Sequence, residues 1–317
     1  NSDTEDLLLF VSVPASTGFT TALKNIGKVN NKGLEFNLTS RNLSGELSWS
    51  TDFNYSTNKN EVIELGGKNE PIYSKGSAGV RHVTRVGDAV GSYFGWVVDG
   101  VYQSQSEIDS APTDKMAKAP RPGDFRFKDI NGDGIVDSDD RTITGSYNPD
   151  FIWGITNRFK YKNIDLSIFF QGVEGREILN LTARHMKNGE ANFNSYDVLN
   201  NRWISESQPG DGKTPRADRS TGTHGNNNRP SSYQVEDGSY ARLKNLTIGY
   251  TLPSSMSEKY AKNIRLYFTA KNLATWTDYI GFNPEVSLQS QNMLTQGEDY
   301  GAYPLSVSLI FGLNVTF

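Results

Sequence analysis

Six positions at fixed intervals offer the clearest chemistry in this sequence: Asp129, Asn131, Asp133, Ile135, Asp137 and Asp140. The five side-chain oxygen donors occupy places 1, 3, 5, 9 and 12 of a loop, Gly134 takes place 6, and Ile135 would offer its main-chain carbonyl at place 7. A 12-residue loop of that spacing wraps Ca²⁺, a hard cation that takes six to eight oxygens. Asp140 stands where such loops usually carry Glu, and its shorter arm weakens bidentate capture. No amphipathic helices flank the segment, so the expected role is to brace a long connection. A solvated turn rich in Asx and Gly is the competing reading. A second group is aromatic. Trp96, Tyr196, Trp203 and Tyr233 lie among Asn, Asp and Arg, and flat rings beside such groups suit stacking on a sugar or peptide. Catalysis is not legible. His82, His185 and His224 lack ligand spacing, no nucleophile motif accompanies them, and there is no cysteine. No enzyme is expected.

The elements that must carry these residues read as strands. From Tyr303 to Phe317 every odd position is apolar or aromatic, and the even positions are polar or small except Ile310. Alternate side chains of a strand point to opposite faces, so one face is apolar and the other largely polar. The same alternation recurs at Leu34–Leu38, at Leu47–Tyr55, on both sides of a tight turn near Lys162-Asn163, at Leu246–Leu252 and at Ile264–Ala270. About eight strands are expected: near 7–13, then 28–41, 45–60, 151–161, 163–173, 238–252, 262–273 and 303–317. The strand-like segment 92–102 is placed in a hairpin outside this series. Short turns near 42–45 and 161–163 alternate with long connections at about 64–150, 174–237 and 276–302. Such long loops are poor form in a compact soluble domain but expected in an outer-membrane barrel, with short turns at one rim and long loops at the other. An aromatic last residue on a complete strand fits the same class, and Phe317 is the expected outer-membrane targeting residue. The sequons at Asn37, Asn54, Asn245 and Asn314 are what a polar strand face rich in Asn, Ser and Thr produces by itself.

Composition agrees. The 32 basic and 36 acidic residues give a net charge of −4, which argues against a nucleic-acid surface. No run of 18 apolar residues exists for a membrane-spanning helix, and a barrel needs none because only alternate residues face lipid. Tyr and Phe number 15 and 16 and Gly 30, against four Met, a bias that suits strands, aromatic girdles and turns. The first residues, NSDTEDLLLF, hold no signal segment, so the expectation is a piece of a longer exported product.

Several motifs carry a resemblance. Asn25-Ile26-Gly27-Lys28-Val29-Asn30-Asn31-Lys32-Gly33-Leu34-Glu35, Pro122-Gly123-Asp124 followed by Asp129-Ile130-Asn131-Gly132-Asp133-Gly134, and Tyr240-Ala241-Arg242-Leu243-Lys244-Asn245 through Pro253 resemble segments of SusC/RagA-type TonB-dependent outer-membrane transporters. Asn283-Pro284-Glu285, Tyr303-Pro304 and Gly312 to Phe317 complete that family's order, so the resemblance covers residues 1–317. It implies an all-β transmembrane antiparallel barrel in the Gram-negative outer membrane, of which this is the C-terminal part: about the last eight of 22 strands around a plug. The plug and first strands would then belong to the remainder of the same transporter, because open strand edges cannot be left in lipid. The resemblance further implies a SusD-type surface lipoprotein as partner, power from TonB, and import of oligosaccharides, the family's commonest cargo, or of peptides. The competing class is a secreted β-rich module that binds ligands through calcium at the Asp129 loop.

Overall fold

The computed structural model describes residues 1–12, 21–66, 68–187, 189–190, 195–218, 225–257, 261–288 and 292–317. His224 and the end of the first expected strand, residue 13, lie outside them. One antiparallel sheet dominates, and its eight strands follow chain order: β1 (Ser2–Ser12), β2 (Thr21–Leu43), β3 (Leu47–Leu65), β4 (Phe151–Tyr161), β5 (Ile164–Glu174), β6 (Tyr240–Thr251), β7 (Asn263–Thr277) and β8 (Ser308–Thr316). No helix among the described residues is long and apolar enough to cross a membrane.

Register turns the alternation of single strands into two continuous faces. Leu38 pairs with Phe53 and Phe53 with Ile155; Phe159 pairs with Leu166, Leu166 with Ile248, Ile248 with Phe268 and Phe268 with Phe311. Leu34, Phe36, Leu266, Phe311 and Leu313 on this face are at least half exposed. Among the described residues no second sheet covers it. A face of this composition is stable against lipid and not against water. Aromatic pairs mark two heights: Trp49 stacks on Phe159 at 5.6 Å near the short turns, and Tyr55 meets Phe151 at 5.3 Å near the long connections. Between β4 and β5 the Trp153 indole lies over Gly172, in the space a Cβ there would fill, so only glycine leaves the ring room to lie flat on the wall. The opposite face is polar. Asn37 pairs with Asn54, Thr39 with Asp52 and Thr247 with Thr269; the ion pair Arg158–Asp52 joins neighbouring strands, and Arg265 of β7 reaches over Gly249 of β6 to Asp165 of β5.

Several strands outrun their expected length, one of them β7, which stays paired with β6 as far as Thr277. β2 and β3 stay paired as far as Gly27 and Leu65, where Val29, Val62 and Leu65 bury against Ile72, Val90 and Leu294 of the connections. The sequence there (Asn30-Asn31-Lys32, Asn58-Lys59-Asn60-Glu61) is polar, so periodicity could not show a core supplied by distant loops. β8 is shorter: its ladder with β7 stops at Ser308, and Pro304, just upstream, has no amide to donate.

The long connections fold into small sheets at one end of the wall. Ile72–Gly76, Gly79–Thr84, Ser92–Gly95 and Thr142–Gly145 form one, and Val98–Val101 pairs with Phe125–Phe127. Segment 92–102 thus divides between two sheets outside the wall. Glu177–Asn180 lies between Val235–Asp237 and Glu298–Asp299, so backbone hydrogen bonds tie the second connection to the third.

Candidate functional site: the loop assembly over the polar face

Three buried polar hubs hold this assembly, and the first two use the short motifs. Asp124, 1% exposed, receives Arg216 Nε at 2.8 Å and Asn227 Nδ2 at 3.3 Å on one oxygen, and Asn226 Nδ2 at 3.2 Å on the other. Gly123 before it has φ of +92°, and the Trp203 ring and Arg216 stem fill the space beside its Cα. That left-handed conformation and close approach both require glycine. In the second hub Glu285 reaches down to the polar face of β6. It accepts Tyr240 Oη at 2.7 Å, the Arg242 guanidinium and Lys244 Nζ at 3.5 Å. Arg242, 1% exposed, also donates to Thr275 Oγ1 at 2.8 Å and Asn283 Oδ1 at 3.3 Å. Burial pushes the Glu285 carboxyl up, but Tyr240, Arg242 and Lys244 outweigh it and hold it below the ordinary value. The third hub joins Glu298 to Ser77 and His82.

The Asp129–Asp140 loop is knit by its own amides. Asp129 accepts from Gly132 N at 2.7 Å and Gly134 N at 2.8 Å, Asn131 from Asp133 N at 2.9 Å, Asp133 from Ile135 N at 2.9 Å, and Asp137 from Asp139 N at 2.9 Å. Asp140, fully buried, accepts from Ile130 N and Asp137 N, both at 2.8 Å. Burial alone would raise its carboxyl; the amides of Asp137, Ile130 and Asn131 prevail and lower it. Among the described residues no three His, Asp or Glu side chains converge to hold a metal ion. The geometry present is therefore the hydrogen-bonded turn, and calcium there stays an expectation.

The expected ligand-stacking rings are mostly engaged by protein. Trp96 is 5% exposed in a core with Val101, Phe125, Phe127 and Val136, against which Trp203 and Tyr233 pack. The Trp96 indole donates to the Asp137 carbonyl at 2.7 Å, and the Arg141 and Arg229 guanidiniums lie 5.3 and 5.7 Å from its ring centre. Tyr233 meets Phe125 at 4.6 Å, and burial pushes its hydroxyl up to about 12. Tyr196 stands apart, half-buried near Glu236 and Asp299. Phe317, 91% exposed, follows β8. The hub residues Arg242, Glu285, His82 and Glu298 escaped sequence reasoning about ligands, although Arg242 and Glu285 lie within the motifs quoted above.

A wall with one lipid-type face, one polar face and loops bolted over the polar side defines a portion of an outer-membrane β-barrel. No protein-family model matches the chain. Among curated proteins, TonB-dependent receptor P3 of Formosa agariphila is 36% identical over 325 residues, covering 99% of this chain and 31% of the relative. TonB-dependent receptor SusC of Bacteroides thetaiotaomicron is 26% identical over 326 residues, covering 99% and 29%. Among solved structures, the RagAB peptide transporter superposes with a TM-score of 0.78 at 21% identity, covering 99% of this chain and 32% of that one. The chain is a homologue of the SusC-type TonB-dependent receptors over essentially its whole length and spans about a third of the curated relatives it matches. It shares their outer-membrane barrel architecture.

Proposed function

We propose that this chain is the wall-and-loop portion of an energy-coupled importer of oligomeric nutrients across the bacterial outer membrane. In this reading it works with a plug and further strands of the same transporter, with TonB, and with a SusD-type surface lipoprotein over the loop end. One observation carries it: a chain homologous to TonB-dependent receptors throughout presents an uncovered apolar face outward and a loop-roofed polar face inward. Its homologues are receptors and transporters rather than enzymes.

Oligosaccharides are the first cargo proposed. Peptides are the second reading, favoured by the burial of Trp96 and the packing of Trp203 and Tyr233 in the same core, which takes from these rings the open faces that sugar stacking needs. Growth of a deletion strain on single glycans and on defined oligopeptides tests both. A defect confined to glycans supports the first reading and one confined to peptides the second. Normal growth on every such nutrient refutes import of this kind. The soluble-module alternative predicts a chain that stays monodisperse without detergent or lipid.

A further inference from the structure

The apolar face of the wall is not even. Near the short-turn rim Ile164, Ile248, Tyr250, Leu266, Phe268 and Phe311 surround an open groove of about 470 Å³. Register puts all six on one face: Ile164 pairs with Tyr250 and Tyr250 with Leu266, while Ile248 pairs with Phe268 and Phe268 with Phe311. The main chain at Gly249 and Gly312 supplies the floor. On the polar side Arg265 lies over Gly249 and the Tyr267 ring over Gly312, each in the space a Cβ would fill, so the wall here is one backbone thick. Phe268 and Phe311, 4.8 Å apart, close the end away from the rim.

In an outer-membrane barrel this face meets lipid. The groove falls within the size range of small-molecule sites, about 300–1,000 Å³, and its lining forfeits dispersion contacts if nothing fills it. A chain that merely passes across the mouth leaves those contacts unmade; a chain laid inside makes them.

The rim end of the groove carries positive charge. Ile164 follows the tight turn Lys162-Asn163, the Thr251 amide donates to the Asn163 carbonyl and the Leu252 amide to the Ile264 carbonyl, both at 2.9 Å. The rim ends of β5, β6 and β7 therefore lie side by side. Lys162 has φ of +51°, a left-handed conformation that Gly or Asn adopts more readily than lysine. Its ammonium sits 5.2 Å from the centre of the Tyr161 ring, and Tyr161, the cross-strand partner of Ile164, belongs to the apolar face. The cation is thus held on the lipid side of the rim. Lys262, exposed, precedes β7 at the same rim. Asp165, next to Ile164, is turned to the polar face and tied to Arg265. Among the described residues neither lysine has a carboxylate partner.

We propose that this groove is a phospholipid site, with one acyl chain laid along it and the phosphate held by Lys162 and Lys262. Two cations without a carboxylate favour an anionic headgroup over a zwitterionic one. The long connections form the outer rim in the reading above, so the site lies in the periplasmic leaflet.

The test is native mass spectrometry of the full-length transporter in detergent, titrated with phosphatidylglycerol, phosphatidylethanolamine or glycerol 3-phosphate. Phosphatidylglycerol should be retained saturably and at least about tenfold more tightly than phosphatidylethanolamine, and glycerol 3-phosphate, which has no chains, should not displace it. Lys162→Gln with Lys262→Gln should weaken phosphatidylglycerol about 30-fold and remove the preference. Leu266→Trp, which fills the groove, should abolish this binding with both lysines in place; Ile248→Trp repeats the test if the first variant misfolds. Leu38→Trp, on the same face three strands beyond the groove, should change nothing. Equal affinity for the two phospholipids overturns the proposal, as does displacement by glycerol 3-phosphate. Wild-type binding in the groove-filling variants, or an equal loss in Leu38→Trp, overturns it too. Transport is not part of the readout, so the site can fail while the importer reading stands.

Discussion

Removing the Glu285 carboxylate should undock the third connection from the wall while leaving the wall intact. Glu285→Ala leaves Arg242, 1% exposed, with Thr275 and Asn283 as partners and no counter-charge. Breaking one side of a buried ion pair costs about 3–5 kcal/mol. Glu285 keeps 25% of its side chain exposed, so water recovers part of that, and about 2–3 kcal/mol is expected for opening of 278–288. At about 1.36 kcal/mol per factor of ten, this is a rise of about 30- to 160-fold in the open population. Native-state hydrogen exchange of that segment in the full-length protein measures it directly. The paired change Arg242→Met with Glu285→Leu removes both charges and should restore more than half of the loss, which marks the cost as an orphaned cation rather than lost packing. The carboxyl is depressed in the folded state, so its contribution is present above about pH 4.5 and lost as pH falls through the folded value. A rise below about tenfold in Glu285→Ala, or a double variant as open as the single, would refute this reasoning.

Three further outcomes follow from the same structure. Asp140→Ala should cost the 129–140 loop about 1–3 kcal/mol, because three amides lose their acceptor; faster proteolysis between residues 115 and 145, with unchanged heat-stability of the wall, checks it. If calcium braces that loop, millimolar calcium will slow this cleavage in the wild type but not in Asp129→Ala with Asp133→Ala, and equal rates with and without the ion count against it. Phe53→Arg on the apolar face should destabilise the wall by about 2–4 kcal/mol and Asn54→Arg on the polar face by much less, compared by urea unfolding in lipid vesicles; equal effects would mean the faces are assigned wrongly.

What could be read from the sequence follows from where the selecting solvent acts. Residues 151–161 alternate, with Ile152 and Asn157 the exceptions, because each faces either lipid or the polar interior, and the strand ends where that alternation ends. Register was equally accessible, since slipping by one residue would put Lys160 or Asp165 on the face that carries Phe159 and Leu166. Loops obey no such rule. Trp96, Trp203 and Tyr233 share composition with ligand-stacking rings, and only Phe125, Phe127 and Val136, contributed from elsewhere in the chain, turn them into a core. The motif residues Asp124, Arg242 and Glu285 announced themselves as a pattern but not as contacts, because an ion pair between Arg242 and Glu285 depends on how the third connection turns inward over β6. His82 and Glu298 carried no signal at all: a lone histidine and a lone glutamate in long connections become a pair only once Gly76 and Ser77 admit the carboxylate. The wall is therefore specified locally, by periodicity against two solvents, and the roof by a few buried charges that no period describes. Substitutions in the roof should consequently alter opening and pH response well before they alter the amount of folded barrel, and substitutions in the wall should do the reverse.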